Sequence, residues 1–358
     1  MQIGLVGLHG SGKSILFNTL ANIHTGSAFG GTEAKIEVVK VPDERLDNLT
    51  EIFNPKKEVY ATFEIFDIPG LGVADDGKVR ITSSFLNNVK NNNALFYVIR
   101  QFQNPSVPHP MNKIDPVADI NFLETEFLLT DLSFLENRIE KLEKDLQKRK
   151  DENLKKELDV IQKCYEHTSN ELPLRDLDLS ENELRLLSGY QLLTLKPLAI
   201  AINLDETSIQ NASGIVKNIQ EKLNKDIEII PFSAEIEFEL SKLDKDDQAL
   251  FMEEYGIKES ALTKILRTSY KILGLQSFFT VGEDETRAWT IKKNYTAQQA
   301  AGVIHTDFYN KFIRAEVVHY DDFIKYKSFG KCKEAGVWRL EGKDYIVKDG
   351  DILNIRHS

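Results

Sequence analysis

Between Gly7 and Ser14 the chain reads Gly-Leu-His-Gly-Ser-Gly-Lys-Ser, a glycine followed after four residues by Gly-Lys-Ser. That spacing suits a loop that wraps phosphate. Gly7 and Gly12 permit backbone angles that would strain other residues, so the N–H groups through His9, Gly10 and Ser11 can turn toward a β-phosphate. Lys13 reaches the β and γ oxygens, and the Ser14 hydroxyl is placed to ligate Mg²⁺. A helix opening at Ser14 and Ile15 adds the partial positive charge of its N-terminus.

Three further segments could complete such a site. In Phe63-Glu-Ile-Phe-Asp-Ile-Pro-Gly70, Asp67 ends an apolar strand and precedes x-x-Gly, which suits holding Mg²⁺ through water and placing an N–H near a γ-phosphate. Leu71 follows, where many GTPases keep a glutamine that orients the attacking water; leucine cannot hydrogen-bond water, so hydrolysis is slow or another group performs that step. Leu198-Ala-Ile-Ala-Ile-Asn-Leu-Asp-Glu206 parallels the strand that ends in Asn-Lys-x-Asp in guanine binders. Here Leu204 replaces the lysine and Glu206 the aspartate, which weakens the bidentate fit to guanine and opens the question of adenine. Pro231-Phe-Ser233-Ala234 ends another strand, with Ser233 and Ala234 expected at the base.

The elements that must position these residues follow from apolar periodicity. Residues 2–7, 60–66, 94–99 and 197–202 read as strands separated by helical stretches, hence a doubly wound, mostly parallel α/β sheet. From about Pro116 to Gly189 the rhythm changes: Leu128, Leu132, Leu135, Ile139, Leu142 and Leu146 alternate steps of four and three. Leu154, Leu158, Ile161 and Tyr165 repeat that spacing, so an antiparallel helical hairpin is expected, its tip carrying Lys148, Arg149 and Lys150. From Ser277 short strands are expected at 288–291, 312–318 and 345–347, forming a small α+β module. Trp289 and Trp338 read as core, and His305 and His319 as structural.

At 358 residues the chain exceeds one ordinary core. Hydrophobic content of 41% and charged content of 28% are globular values. Cys164 and Cys332 fit no metal or redox spacing and read as reduced thiols. No signal-peptide pattern or membrane-length apolar run is seen, so a cytoplasmic protein is expected. A net charge of −11 argues against a generic nucleic-acid coat, although a local basic patch is compatible with it.

Taken in order, these segments resemble the YchF / Obg-like ATPase family of P-loop proteins. The likeness extends through Val41-Pro-Asp-Glu-Arg-Leu-Asp47, Lys113-Ile-Asp-Pro116, Phe278-Phe-Thr-Val-Gly-Glu283, Ala300-Ala-Gly-Val-Ile-His-Thr-Asp-Phe308 and Leu340-Glu-Gly-Lys-Asp-Tyr345. The resemblance implies a G domain (1–117 and 190–276), a helical insert (118–189) and a TGS-like β-grasp domain (277–358). It implies ATP preferred over GTP through Asn203 and Glu206, a hydrophobic residue at Leu71, and His109 on a mobile loop as the group acting in hydrolysis. Ribosome or ribosomal RNA association, as a monomer, is the partner it suggests. His9-Gly10 stand where the family reads Pro-Asn, and Ile15 where it reads Thr; Gly10 argues against potassium activation. The stretch Gly77–Ser84 lacks the expected glycine-rich switch sequence, and Thr32 is the available switch hydroxyl for Mg²⁺.

The leading expectation is an Mg²⁺-dependent ATPase switch. A GTPase of the same class stays open, as does a nucleotide-dependent RNA- or ribosome-binding scaffold with negligible turnover. Small-molecule kinase chemistry is disfavoured, because no lid or acceptor-site signature is present.

Overall fold

The computed structural model describes residues 1–22, 34–71 and 79–358. Its strands are β1 (Gln2–Val6), β2 (Lys35–Lys40), β3 (Lys57–Val59), β4 (Thr62–Asp67), β5 (Ala94–Arg100), β6 (Leu198–Asn203) and β7 (Ile229–Phe232). There follow β8 (Leu275–Thr280), β9 (Glu285–Lys292), β10 (Phe312–His319), β11 (Arg339–Glu341) and β12 (Asp351–His357). The chain divides into two compact units, Met1–Glu37 with Glu64–Ile265, and Val38–Phe63 with Leu266–Ser358.

The first unit is built on a sheet ordered β2-β4-β1-β5-β6-β7, with β4, β1, β5, β6 and β7 parallel. Every residue of β5 and β6 is buried, as their unbroken apolar runs require of parallel strands covered on both faces. In such a sheet ligands collect beyond the carboxyl ends of the strands. The four sequence segments lie at those ends.

The expected hairpin is present as helices Pro116–Lys148 and Glu152–Ser169. Asp115 caps the first, accepting from Ala118 N, and Asp151 caps the second, accepting from Asn153 N and Leu154 N. The seam is shorter than the heptads suggest. Leu135, Ile139 and Leu142 pack with Leu158, Ile161 and Cys164, while nearer its start the long helix buries Ile120, Leu123 and Phe127 in the core of the sheet. One helix serves two partners, so its buried stripe shifts along its length. Leu128 and Leu132 are left only half-buried.

The second unit carries a mixed sheet ordered β11-β10-β12-β8-β9-β3. Residues 38–63 join it through the parallel pairing of β3 with β9. Its core gathers Phe278, Ile291, Ala300, Ala315, Val317 and Leu353, with Trp289 packed against it. Residues 345–347 do not form the expected strand: Tyr345 O and Val347 N bond Ala297 N and Tyr295 O, a single bridge beside the start of helix Ala297–Ile304. His305 and His319 accept hydrogen bonds from the Asp307 and Asp321 amides and so cap short helices. Cys164 and Cys332 are buried free thiols. Among the described residues no helix is long and apolar enough to cross a membrane.

Candidate nucleotide site

A cavity of about 640 Å³ opens beyond the carboxyl ends of β1, β4, β5, β6 and β7. Its walls include His9 to Ile15, Asp67, Pro69, Gly70, Asn203, Leu204, Ser233 and Ala234, so most of the expected site residues are brought together. The loop after β1 leads into helix Lys13–Leu20, whose first residue is preceded by Gly12 with no side-chain cap. Its first N–H groups are thus free of a side-chain acceptor, which is the arrangement that receives an anion.

The glycines are required for different reasons. Gly10 and Gly12 have φ of +75° and +96°, conformations that strain L side chains. Gly7 does not: a Cβ there would stand 2.3 Å from the carbonyl oxygen of Val98 on β5, a close approach of backbone to backbone. Because Val98 is held in the sheet, Gly7→Ala cannot be relieved by a rotamer change. We expect it to cost about 1–3 kcal/mol in chemical denaturation. Gly189→Ala, with nothing within 4 Å of its Cβ, should leave the midpoint nearly unchanged.

Lys13 lies across the loop, its Nζ donating to Gly7 O at 3.1 Å and Leu8 O at 3.3 Å. It is 5% exposed, and burial lowers its pKa to about 8, with Asp67 opposing. Asp67 ends β4 with its carboxyl raised above the usual range by burial, against the pull of Lys13 and of a hydrogen bond with Ser14. Its Oδ1 is buried and has no hydrogen-bond partner. A buried carboxylate oxygen without a donor, beside a serine hydroxyl, fits a hard divalent cation that takes its remaining ligands from phosphate and water. Ser14 and Asp67 are therefore suited to Mg²⁺; Thr32 lies outside the described residues.

The phosphate loop is tied to the segment after Asp67. His9 N donates to Leu71 O at 2.7 Å and Leu71 N to Gly7 O at 3.3 Å. Leu71 is itself buried in the core. Asn203, expected at the base, instead ties the walls together: its Nδ2 donates to Ser11 O and its Oδ1 accepts from Ala234 N, both at 3.1 Å.

Among the described residues, three expected ones do not line the cavity: Gly7, Glu206 and His109. Glu206 is exposed and opens the 3₁₀ turn Glu206–Asn211; Asp205 lines the wall in its place, accepting from Ser208 N and Thr207 Oγ1. His109 is 8% exposed and turned inward, with Nε2 3.0 Å from Asp119 Oδ2 and Nδ1 accepting from Met111 N. Burial raises the Asp119 carboxyl, and the His109 ring opposes the rise.

Sequence reasoning missed the wall after β5, formed by Phe102, Gln103, Asn104 and Val107. Arg100 organises it: a 2% exposed guanidinium donating to the carbonyls of Phe102, Asn104 and Val107. The signal was an arginine closing an otherwise apolar strand. A side chain at Gly10 would meet Val107 Cγ1 at 2.7 Å, so the glycine lets this wall lean on the phosphate loop.

Comparison with known proteins agrees with this geometry. The family described as "50S ribosome-binding GTPase" matches residues 2–163, and the YchF-GTPase_C family, described as a protein of unknown function, matches residues 275–358. The chain is 41% identical to the "Ribosome-binding ATPase YchF" of Pasteurella multocida, covering 100% of this chain and 99% of that one. It is 37% identical to the protein of the same name from Bacillus subtilis, with the same coverage. The YchF GTPase structure from Schizosaccharomyces pombe superposes with a TM-score of 0.88 at 31% identity, covering 99% of this chain and 97% of the other. A GTP binding protein from Pyrococcus horikoshii shares the fold, with a TM-score of 0.61 at 21% identity. With both ends of the chain matched and relatives alike over their whole length, this chain belongs to the YchF family.

Proposed function

We propose that this chain is a slow, Mg²⁺-dependent nucleoside triphosphatase that prefers ATP to GTP and works as a ribosome-associated switch. The observation that carries the reading is the convergence of the uncapped loop, Lys13 and the unpartnered Asp67 oxygen at one end of a single cavity. Bound there, Mg²⁺ would neutralise charge developing on the transferred phosphoryl group. Lys13 neutralises the same charge, the loop N–H groups hold the β-phosphate, and Ser14 and Asp67 hold the cation. His109 joins this machinery only by leaving Asp119.

Adenine is favoured because Glu206, at the position of the carboxylate that reads guanine in GTPases, does not line the cavity, and Asp205, which does, serves as a helix cap. Slowness follows from Leu71, whose side chain is in the core. The same residue favours the second reading, a nucleotide-dependent ribosome-binding scaffold with negligible turnover. Ribosome association rests on the names of the relatives, and a cytoplasmic monomer is part of the proposal. So is the three-part division into G domain, helical insert and β-grasp module, with β3 the piece of the N-terminal half that pairs with the second sheet.

The test is titration of nucleotide-free protein with fluorescent ATP and GTP analogues plus Mg²⁺, with phosphate release followed on the same samples. Tighter ATP binding with slow, Mg²⁺-dependent release is expected. Tighter GTP binding would overturn the base assignment, and binding without release would leave the scaffold.

A further inference from the structure

The cavity holds an imidazole, and it belongs to His9. His9 lines the wall and is exposed to it, whereas both ring nitrogens of His109 are engaged by Asp119 and Met111 in a buried pocket. The position of His9 is fixed by its main chain, through the bond from its N–H to Leu71 O. It also stands beside Lys13 and the segment after Asp67. A Cβ placed on Gly70, the glycine after Asp67, would lie 3.1 Å from His9 Cα and 2.7 Å from Lys13 Nζ. The His9 main chain therefore lies beside the Lys13 ammonium and Gly70, the two groups that the hydrolase reading puts at the γ-phosphate.

We propose that His9 is a catalytic residue of this chain, its ring accepting a hydrogen bond from the attacking water and touching the γ-phosphate. This rests on the hydrolase reading above. It assigns to the third position of the phosphate loop the water-orienting work that Leu71 cannot do. Water oxygen forms a bond to the γ-phosphorus as the bond from phosphorus to the β,γ-bridging oxygen breaks. That electron pair leaves with the nucleoside diphosphate, and both water protons remain on the product, released as dihydrogen phosphate. His9 orients the water and is unchanged at the end.

Two measurements on the full-length chain decide it. His9→Ala keeps the N–H that bonds Leu71; single-turnover phosphate release should fall roughly tenfold or more, with ATP affinity within about threefold. His9→Gln, which restores an acceptor, should recover part of the rate. Unchanged or faster release in His9→Ala would overturn the proposal, faster release showing that the ring only obstructs. Independently of turnover, long-range ¹H–¹⁵N spectra should show the His9 ring signals moving with Mg²⁺ and β,γ-imido-ATP but not with Mg²⁺ and ADP. The same spectrum with both nucleotides would place the ring away from the γ-phosphate and sink the idea. If the wild-type chain releases no phosphate, the hydrolase reading fails, and the spectra still report whether His9 meets the γ-phosphate.

Discussion

Lys13→Met should lower phosphate release roughly 100-fold or more, since an electrostatic contact in an enclosed site is commonly worth 10²–10³ in rate. The structure explains why so large an effect should leave the fold intact. The ammonium is buried against Gly7 O and Leu8 O, and burial lowers its pKa to about 8 even though Asp67 opposes the fall. Methionine fills the same channel without the cost of burying charge, so thermal stability should hold or rise. The phosphates supply the counter-charge the lysine lacks. The sign of the pH dependence follows: the free site holds the lysine with pKa about 8, and binding requires the charged form. ATP affinity should therefore be flat below pH 7 and weaken about tenfold between pH 7 and pH 9. Lys13→Met should lose that slope. A variant that keeps the slope would show that another group titrates.

What the sequence disclosed and what it concealed divide along a physical line. The phosphate loop was legible because its demands are local: positive φ at Gly12, an ammonium and a hydroxyl at fixed offsets. β5 and β6 were legible because an apolar run of that length has few places to go. The reason for Gly7 was not legible, because the Val98 carbonyl that forbids a side chain comes from a distant strand. Arg100 and its three carbonyls, the tie from Asn203 to Ser11, and the pairing of His109 with Asp119 are likewise long-range or loop-borne. Glu206 is a different kind of miss. Asp205-Glu-Thr-Ser208 is a helix-capping pattern, and read as one it assigns Asp205 to the cap and sends Glu206 outward.

Arg175→Met tests how the hairpin is held to the sheet of the first unit. Arg175 donates to both oxygens of Glu124 on the long helix, at 2.6 and 3.2 Å, and Tyr97 of β5 donates to the same carboxylate at 2.8 Å. The ion-pair side chains are 11% and 3% exposed, so solvent screens them little. Burial pushes the Glu124 carboxyl up, but the Arg175 charge and the hydrogen bonds from Arg175 and Tyr97 outweigh it and hold it below the usual range. Removing the guanidinium leaves a buried carboxylate whose remaining cation is Lys225, 3.8 Å away. Breaking one half of a buried pair costs about 3–5 kcal/mol, and that loss is expected in equilibrium denaturation at pH 7. In the wild type the depressed carboxyl contributes stability above its unfolded pKa, which is lost as pH falls through the folded value. In Arg175→Met burial acts largely unopposed, so the carboxyl titrates higher and the variant loses stability as pH rises. The difference between the two should accordingly be smallest in acid, widen through the carboxylate range and level off toward neutrality. Glu124→Gln combined with Arg175→Met should recover part of the loss, because the uncompensated charge is gone. A gap that does not change with pH would assign the cost to lost packing of the arginine stem rather than to the uncompensated partner charge.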